Sequence, residues 1–277
     1  MGLVALGAVC FSTVLIFTRV IQGLDTLSIT FFRLLFGFLF ICLLLTRQRE
    51  ALHMGRYRGD VPLLVGLGAA MGAAATLYTH AIQHTTAANA ALLANSAPIY
   101  VALLAPWLLG EPRPRYTWPS LALALGGIVL ITNPGELRLG DGSLGGIAAG
   151  LGAGFCYSLT LLIGRHLRGR VSSITQIGWG AGVATLLLLP AALRLESGPV
   201  LANLPYLIPL GVLTIGVSYL LYFLGLQRTT AQIVSVVALL EPVSGVIIGL
   251  LLFQEALTPL SAVGSACVLG SIALISR

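Results

Sequence analysis

Long apolar runs recur from one end of the 277-residue chain to the other, separated by short polar breaks. Each is close to the roughly 20 residues that a helix needs to cross the hydrocarbon core of a bilayer. Ten helical spans are predicted, over 3 to 22, 28 to 46, 61 to 83, 86 to 109, 116 to 133, 143 to 166, 173 to 193, 204 to 227, 230 to 253 and 258 to 276. The longest break, Thr46 to Asp60, covers about fifteen residues and is too short for a soluble domain. The fold class expected is therefore all-α, a polytopic membrane protein whose chemistry lies within the bilayer or at its edges. The first run has no charged leader and no convincing small-x-small cleavage site, so it is expected to be a retained span.

Sliding the sequence along itself reveals a duplication. At an offset of 146, "CFSTVLIFTR" falls on "CYSLTLLIGR", matching Cys10 with Cys156 and Arg19 with Arg165. At an offset of 144, "QHTTA" falls on "QRTTA", and Tyr78 pairs with Tyr222, Pro98 with Pro242 and Glu111 with Glu255. Residues 1–134 and 143–277 thus read as two five-span units of one transmembrane domain. Five is odd, so the second unit is expected to enter the membrane with the opposite orientation. Such inverted repeats are common in secondary transporters, where two similar halves rock about a central site.

Composition sharpens this picture. Apolar residues make up 57% of the chain and charged ones 9%, and the mean hydropathy is +0.98. The net charge of +6 comes from arginine alone among the basic residues, fifteen in all. With the N-terminus inside, eleven arginines fall in cytoplasmic segments and three, Arg19, Arg138 and Arg194, in outer ones. That is a positive-inside bias. It places both termini in the cytoplasm of a bacterial-type inner membrane and leaves no basic patch for nucleic acid. Cys10, Cys42, Cys156 and Cys267 fall within spans and read as small hydrophobes. No clustered ligand motif suggests a metal or a cofactor.

The span count, the Pro98 and Pro242 pair, and the endings "LLGEPRPRYTWPSLALALGGIVLI" and "LLFQEALTPLSAVGSACVLGSIALI" carry a resemblance to a known family. The chain resembles the EamA-type branch of the drug/metabolite transporter superfamily over essentially its whole length. Within that branch it is most similar to the YddG-type amino-acid exporters. The resemblance implies a cavity enclosed by spans 1 to 4 and 6 to 9, with spans 5 and 10 outside the path. Ala122 and Gly126 in span 5, and Ala262, Ala266 and Gly270 in span 10, read as small-residue packing faces.

The repeat also sorts residues. Shared positions are expected to build the scaffold, and polar positions present in one half only are better candidates for contact with a substrate. Pro98 and Pro242 are shared and predict bends that free the carbonyls of Ala94 and Ala238. Thr85, Thr86, Thr229 and Thr230 are expected to cap helix starts. Glu111 and Glu255 are shared charges at span ends, read as paired structural groups or as gates. In the asymmetric set, Glu241 faces Ala97 in the repeat, His80 faces Leu224, Asn95 faces Leu239, Asn89 faces Ile233 and Arg33 faces Trp179. Polar stripes follow Thr76, His80, Gln83 and His84 on span 3, Asn89, Ser96 and Tyr100 on span 4, and Thr214, Ser218 and Tyr222 on span 8. Their helical spacing predicts that they turn away from lipid.

An acidic group near the centre of span 9 costs on the order of 2.5 to 3.5 kcal/mol on insertion scales, so Glu241 needs an ion pair, a proton or a role in the path. Arg33 either snorkels to the outer surface or binds a carboxylate at a vestibule. The expected cavity set is Tyr78, His80, Asn95, Tyr100, Trp179, Ser218, Tyr222 and Glu241. Arg33, Glu111 and Glu255 are vestibule or gate candidates.

The leading function is export of small metabolites, amino acids above all, with aromatic ones included, by a monomeric secondary transporter using alternating access. The partners expected are a small-molecule substrate and the lipid bilayer. Efflux of drugs or organic cations is the rival within transport, with Glu241 as the cation site. A channel is another alternative. An intramembrane enzyme has little to rest on, since the chain has no His-Glu-x-x-His, no Gly-x-Ser-x-Gly and no phosphate loop.

Overall fold

The computed structural model describes residues 1–47, 54–85, 87–132, 144–192, 197–254 and 256–276. All regular structure among them is helical. Eight helical runs are long and apolar enough to cross a membrane, and two shorter apolar helices, Thr117–Ile131 and Pro259–Ile275, accompany them. The short pair has 15 and 17 residues. At 1.5 Å per residue these extend to roughly 22 to 26 Å, less than the ~30 Å hydrocarbon core.

In chain order the helices are α1 (Gly2–Ser12), α2 (Val14–Val20), α3 (Thr26–Arg47), α4 (Val61–His84), α5 (Ala87–Ala94), α6 (Ala97–Leu109) and α7 (Thr117–Ile131). There follow α8 (Leu144–His166), α9 (Ser173–Ala192), α10 (Ser197–Gly211), α11 (Ser218–Leu226), α12 (Ala231–Ala238), α13 (Leu240–Phe253) and α14 (Pro259–Ile275). A short 3₁₀ segment, Met54–Asp60, precedes α4, and a π-helical segment, Val212–Val217, joins α10 to α11. The seventh of these eight runs starts at Ser197, seven residues before the span expected from hydropathy at 204. Pro199 lies in its opening turn, where a fixed φ is well placed, while Pro205 and Pro209 lie inside α10.

Helix packing pairs the two halves element by element. α4 packs along α8, and α1 packs along α11; α8 lies on α5 and α6, while α1 lies on α12 and α13. α4 packs on α9 as α3 packs on α10 and the π segment, and α3–α9 and α7–α14 are like-with-like pairs. The main apolar core runs through these contacts, with Leu67, Leu161, Ile177, Phe223 and Val234 all buried.

The α7–α14 contact uses part of the expected small-residue set: Ala262 and Gly270 are half-buried, and an added Cβ on Gly270 would meet Leu123 Cδ2 of α7 at 3.4 Å. Ala122, Gly126 and Ala266 are exposed, whereas Ala124, Gly127, Gly264 and Val268 are buried. A Cβ on Gly127 would meet the Gly264 carbonyl at 2.6 Å, and one on Gly264 would meet the Gly127 carbonyl at 2.5 Å. Ser120 Oγ donates to the Ser271 carbonyl at 2.8 Å across the same face. Small residues occur on more than one face of each helix, so spacing alone picks out the contact face only in part.

Candidate functional site

Four of the membrane-length runs are broken near their middles, and the breaks meet in space. Pro98 has no amide hydrogen, and the run that contains it splits at Asn95 and Ser96 into α5 and α6. Ser96 N bonds the Leu93 carbonyl at 3.1 Å in a tighter turn. Three residues before Pro242, the chain breaks again at Leu239, whose amide bonds the Val236 carbonyl at 3.1 Å. The first run breaks at Thr13, and the seventh carries the π segment. Single π turns inside longer helices recur at functional sites because they re-aim side chains.

Around these breaks lies a cavity of about 210 Å³. Phe11 and Val14 reach it from the α1–α2 break, and Arg33 and Leu34 from α3. Met71 and Tyr78 come from α4, and Ala91 and Asn95 from the α5–α6 break. Tyr157 enters from α8, Ile215 from the π segment, Tyr219 from α11, and Glu241 from the first turn of α13. Asn95 Nδ2 donates to the Ala91 carbonyl at 2.8 Å, which fixes the amide at the break. Ala153 of α8 also lines the cavity, and the next residue, Gly154, lets α8 approach the α5–α6 break. A Cβ on Gly154 would meet Ser96 Oγ at 2.6 Å and the Ala94 carbonyl at 2.9 Å.

The charges of the cavity are Arg33 and Glu241. The Arg33 guanidinium lies 5.7 Å from the centroid of the Phe11 ring, and its Nε is buried without a hydrogen-bond partner. No ion pair joins Arg33 to Glu241, and neither side chain has a hydrogen-bond partner among the described residues.

Of the expected set, Tyr78, Asn95, Glu241 and Arg33 line the cavity, and the others lie elsewhere. His80 is exposed and stacks on His84 with centroids 3.9 Å apart, so the span 3 stripe through Thr76, His80, Gln83 and His84 faces outward. Tyr100 is half-buried edge-on against Phe155 at 5.5 Å. Ser218 is fully buried, donating to the Leu213 carbonyl at 2.9 Å across the π turn. Tyr222 is 1% exposed and sits behind Tyr219 in the core. Trp179 packs with Tyr57 and Leu64, bordering a second cavity of about 310 Å³ between α3 and α9. That cavity is larger but has an apolar lining without a charged group. Glu255 and Thr86 lie outside the described residues, while Thr230 caps α12 by accepting from Ile233 N at 3.4 Å.

Towards the end of the bundle that carries Arg165 and Arg170, each lining helix continues into buried residues. Beyond Tyr157 come Leu161 and Leu162, beyond Tyr219 come Phe223 and Leu226, and before Glu241 come Val234 and Val237. Glu111 sits at this end. It accepts from Arg165 Nε at 2.5 Å and from Ala231 N at 3.0 Å, and Arg165 donates also to the Leu226 carbonyl at 2.5 Å. Arg170 pairs with Asp60 beside it. Glu111 is buried in this network and does not line the cavity.

The family model of the EamA-like transporters matches the sequence twice, over residues 1–133 and 144–277. This chain belongs to the EamA-like transporter family. An uncharacterized transporter of Archaeoglobus fulgidus is 32% identical to this EamA-like chain over 99% of its length and 95% of the relative's. A pseudopaline exporter of Pseudomonas aeruginosa is 30% identical over 60% of the chain and 56% of its own length. A solved crystal structure shares the fold with a TM-score of 0.84, at 17% identity, covering 98% of this chain and 94% of the other. Membership of the EamA-like family makes the chain an integral membrane transporter.

The aromatic walls Phe11, Tyr157 and Tyr219 carry no mark in the sequence that sets them apart from core or lipid-facing aromatics. Phe11 and Tyr157 coincide at the offset of 146, and Met71 and Ile215 at the offset of 144. Shared positions can line a central cavity because both halves contribute a wall to it.

Proposed function

We propose that this protein exports small metabolites, amino acids above all, across the cytoplasmic membrane as a secondary transporter working by alternating access. Its two five-helix halves lie in inverted orientation, with both termini in the cytoplasm, and the protein acts as a monomer. The observation that carries this reading is the central cavity lined by Arg33, Asn95, Tyr219 and Glu241, and the Glu111–Arg165–Ala231 network beyond it supports closure at the arginine-rich end. Arg19 and Glu255 are the repeat counterparts of Arg165 and Glu111. In an inverted repeat Arg19 stands at the opposite end, where an equivalent closure completes the cycle. The double match of the family model and the reciprocal helix pairs support the two-unit organisation.

The cavity volume of about 210 Å³ is below the roughly 300 to 1,000 Å³ of drug-sized pockets, which favours small solutes. Aromatic walls beside Glu241 support a second reading, efflux of organic cations. The Arg33 guanidinium in the same cavity repels a cation and makes this the weaker reading.

Flux of labelled amino acids and organic cations in proteoliposomes separates the two, with and without an imposed pH gradient to read coupling. Amino-acid flux is expected. Cation flux without amino-acid flux would overturn the reading, as would chemical alteration of the solute on crossing.

A further inference from the structure

Two opposite charges line one cavity without touching. Arg33 enters from α3, seven residues after its first residue Thr26, and Glu241 from α13, directly after the break at Leu239. A charge taken out of water is costly unless it is paired or hydrogen-bonded. Among the described residues neither makes a hydrogen bond or a close ion pair, and the two charges act on each other only across the cavity. Glu241 lies in the first turn of α13, where the helix dipole offsets part of its cost. Nothing comparable serves Arg33, whose Nε is buried without an acceptor and whose guanidinium has the Phe11 ring 5.7 Å away.

We infer that the cavity selects solutes carrying both a carboxylate and an ammonium group, with the carboxylate on Arg33 and the ammonium on Glu241. This inference rests on the transport reading above and adds which residues recognise which end of the substrate. Guanidinium presents a planar fork of donors that matches a carboxylate, and the Glu241 carboxylate accepts from an ammonium. Tyr157 and Tyr219 flank the space between for the rest of the molecule. A zwitterion offsets both costs at once. A solute with a single charge offsets one and leaves the other buried.

The arrangement also has a direction built into the repeat. Arg33 belongs to the first half and Glu241 to the second, while their counterparts, Trp179 and Ala97, are uncharged. A zwitterion therefore tethers the two halves to each other. A monopolar solute is held electrostatically by one half only, and it cannot report its presence to the other through charge.

The experiment measures binding and flux separately on the purified full-length protein. Binding is read as ligand-induced thermal stabilisation in detergent, and flux in proteoliposomes, for phenylalanine, phenylalanine amide and N-acetylphenylalanine, with glycine and leucine as further zwitterions. The intact protein is expected to bind a zwitterion at least about tenfold more tightly than either single-charge analogue. Arg33→Gln is expected to lose that advantage and rank the amide above the N-acetyl compound. Glu241→Gln is expected to give the reverse order, and Arg33→Lys to keep the original one. Equal loss of all ligands in folded variants, or the same ligand order in both glutamine variants, would overturn the inference. So would failure of every zwitterion to bind. Binding in the expected order without flux would instead overturn the transport reading and leave the recognition standing.

Discussion

Glu111 and Arg165 are 54 positions apart and meet through a 2.5 Å hydrogen bond, with side chains that keep 10% and 11% of their surface. Each also holds backbone of the second half. Glu111 accepts from the first amide of α12, and Arg165 donates to the last carbonyl of α11, so both orphan ends of that turn are satisfied. The pair is a junction of four helix ends.

Glu111→Gln leaves Arg165 mostly buried without its counter-charge. Breaking a buried pair on one side typically costs about 3 to 5 kcal/mol. Asp60→Asn removes the other ion pair at this end, but its partner Arg170 is 49% exposed and can turn to water. That change is expected to cost no more than about 1 kcal/mol. Thermal unfolding in detergent checks both, and equal shifts for the two variants would contradict this account.

Helix termination gives a second, opposite-signed prediction. α6 ends at Gly110 with φ 64°, and α13 ends at its repeat counterpart Gln254 with φ 54°. The left-handed turn is cheap for glycine and costs roughly 1 to 2 kcal/mol for other residues. Gln254→Gly is therefore expected to stabilise the protein by about 1 kcal/mol, and Gly110→Ala to destabilise it by a similar amount. The melting temperatures of the two variants should move in opposite directions.

Glycines inside the helices separate in the same way. A methyl group on Gly154 would meet the carbonyls of Ala94 and Leu93 at 2.9 and 3.0 Å, and backbone cannot rotate aside. Gly154→Ala is expected to cost about 1 to 3 kcal/mol as overpacking and to disturb the break that sets Asn95. Gly126 has nothing within 4 Å of an added Cβ, so Gly126→Ala should be neutral or gain up to about 1 kcal/mol of helix propensity. Unfolding curves for the pair decide between these signs.

The fold was legible because a bilayer leaves few choices. Apolar runs must be helices whose backbone groups are satisfied internally, and hydropathy locates them. Arg33, Asn95 and Glu241 were legible as well, since each is polar in one half and apolar or unrelated in the other. His80 passed the same filter and lies exposed, because helical periodicity defines a polar face without saying which way it turns. Tyr157 and Tyr219 escaped notice because aromatic residues suit a lipid face, a core and a cavity wall equally well. The π segment that sets Ile215 beside Tyr219 has no sequence mark at all, as one extra residue per turn leaves the apolar pattern unchanged.

The last prediction concerns the prolines. Pro98 stands three residues after Asn95, and Pro242 directly follows Glu241, so each break sets one cavity side chain. Restoring an amide with Pro242→Ala lets residue 242 bond the Ala238 carbonyl and allows one helix to run through Leu239. Glu241 would then rotate with that helix, away from its present place opposite Arg33's half. The variant is expected to fold with an unchanged or higher melting temperature, because proline is the poorest helix former. Its zwitterion flux in proteoliposomes should nevertheless fall, and Pro98→Ala should do the same through Asn95. Full flux in a folded Pro242→Ala protein would show that Glu241 keeps its place without the break, and that the shared prolines serve only to shape the helices.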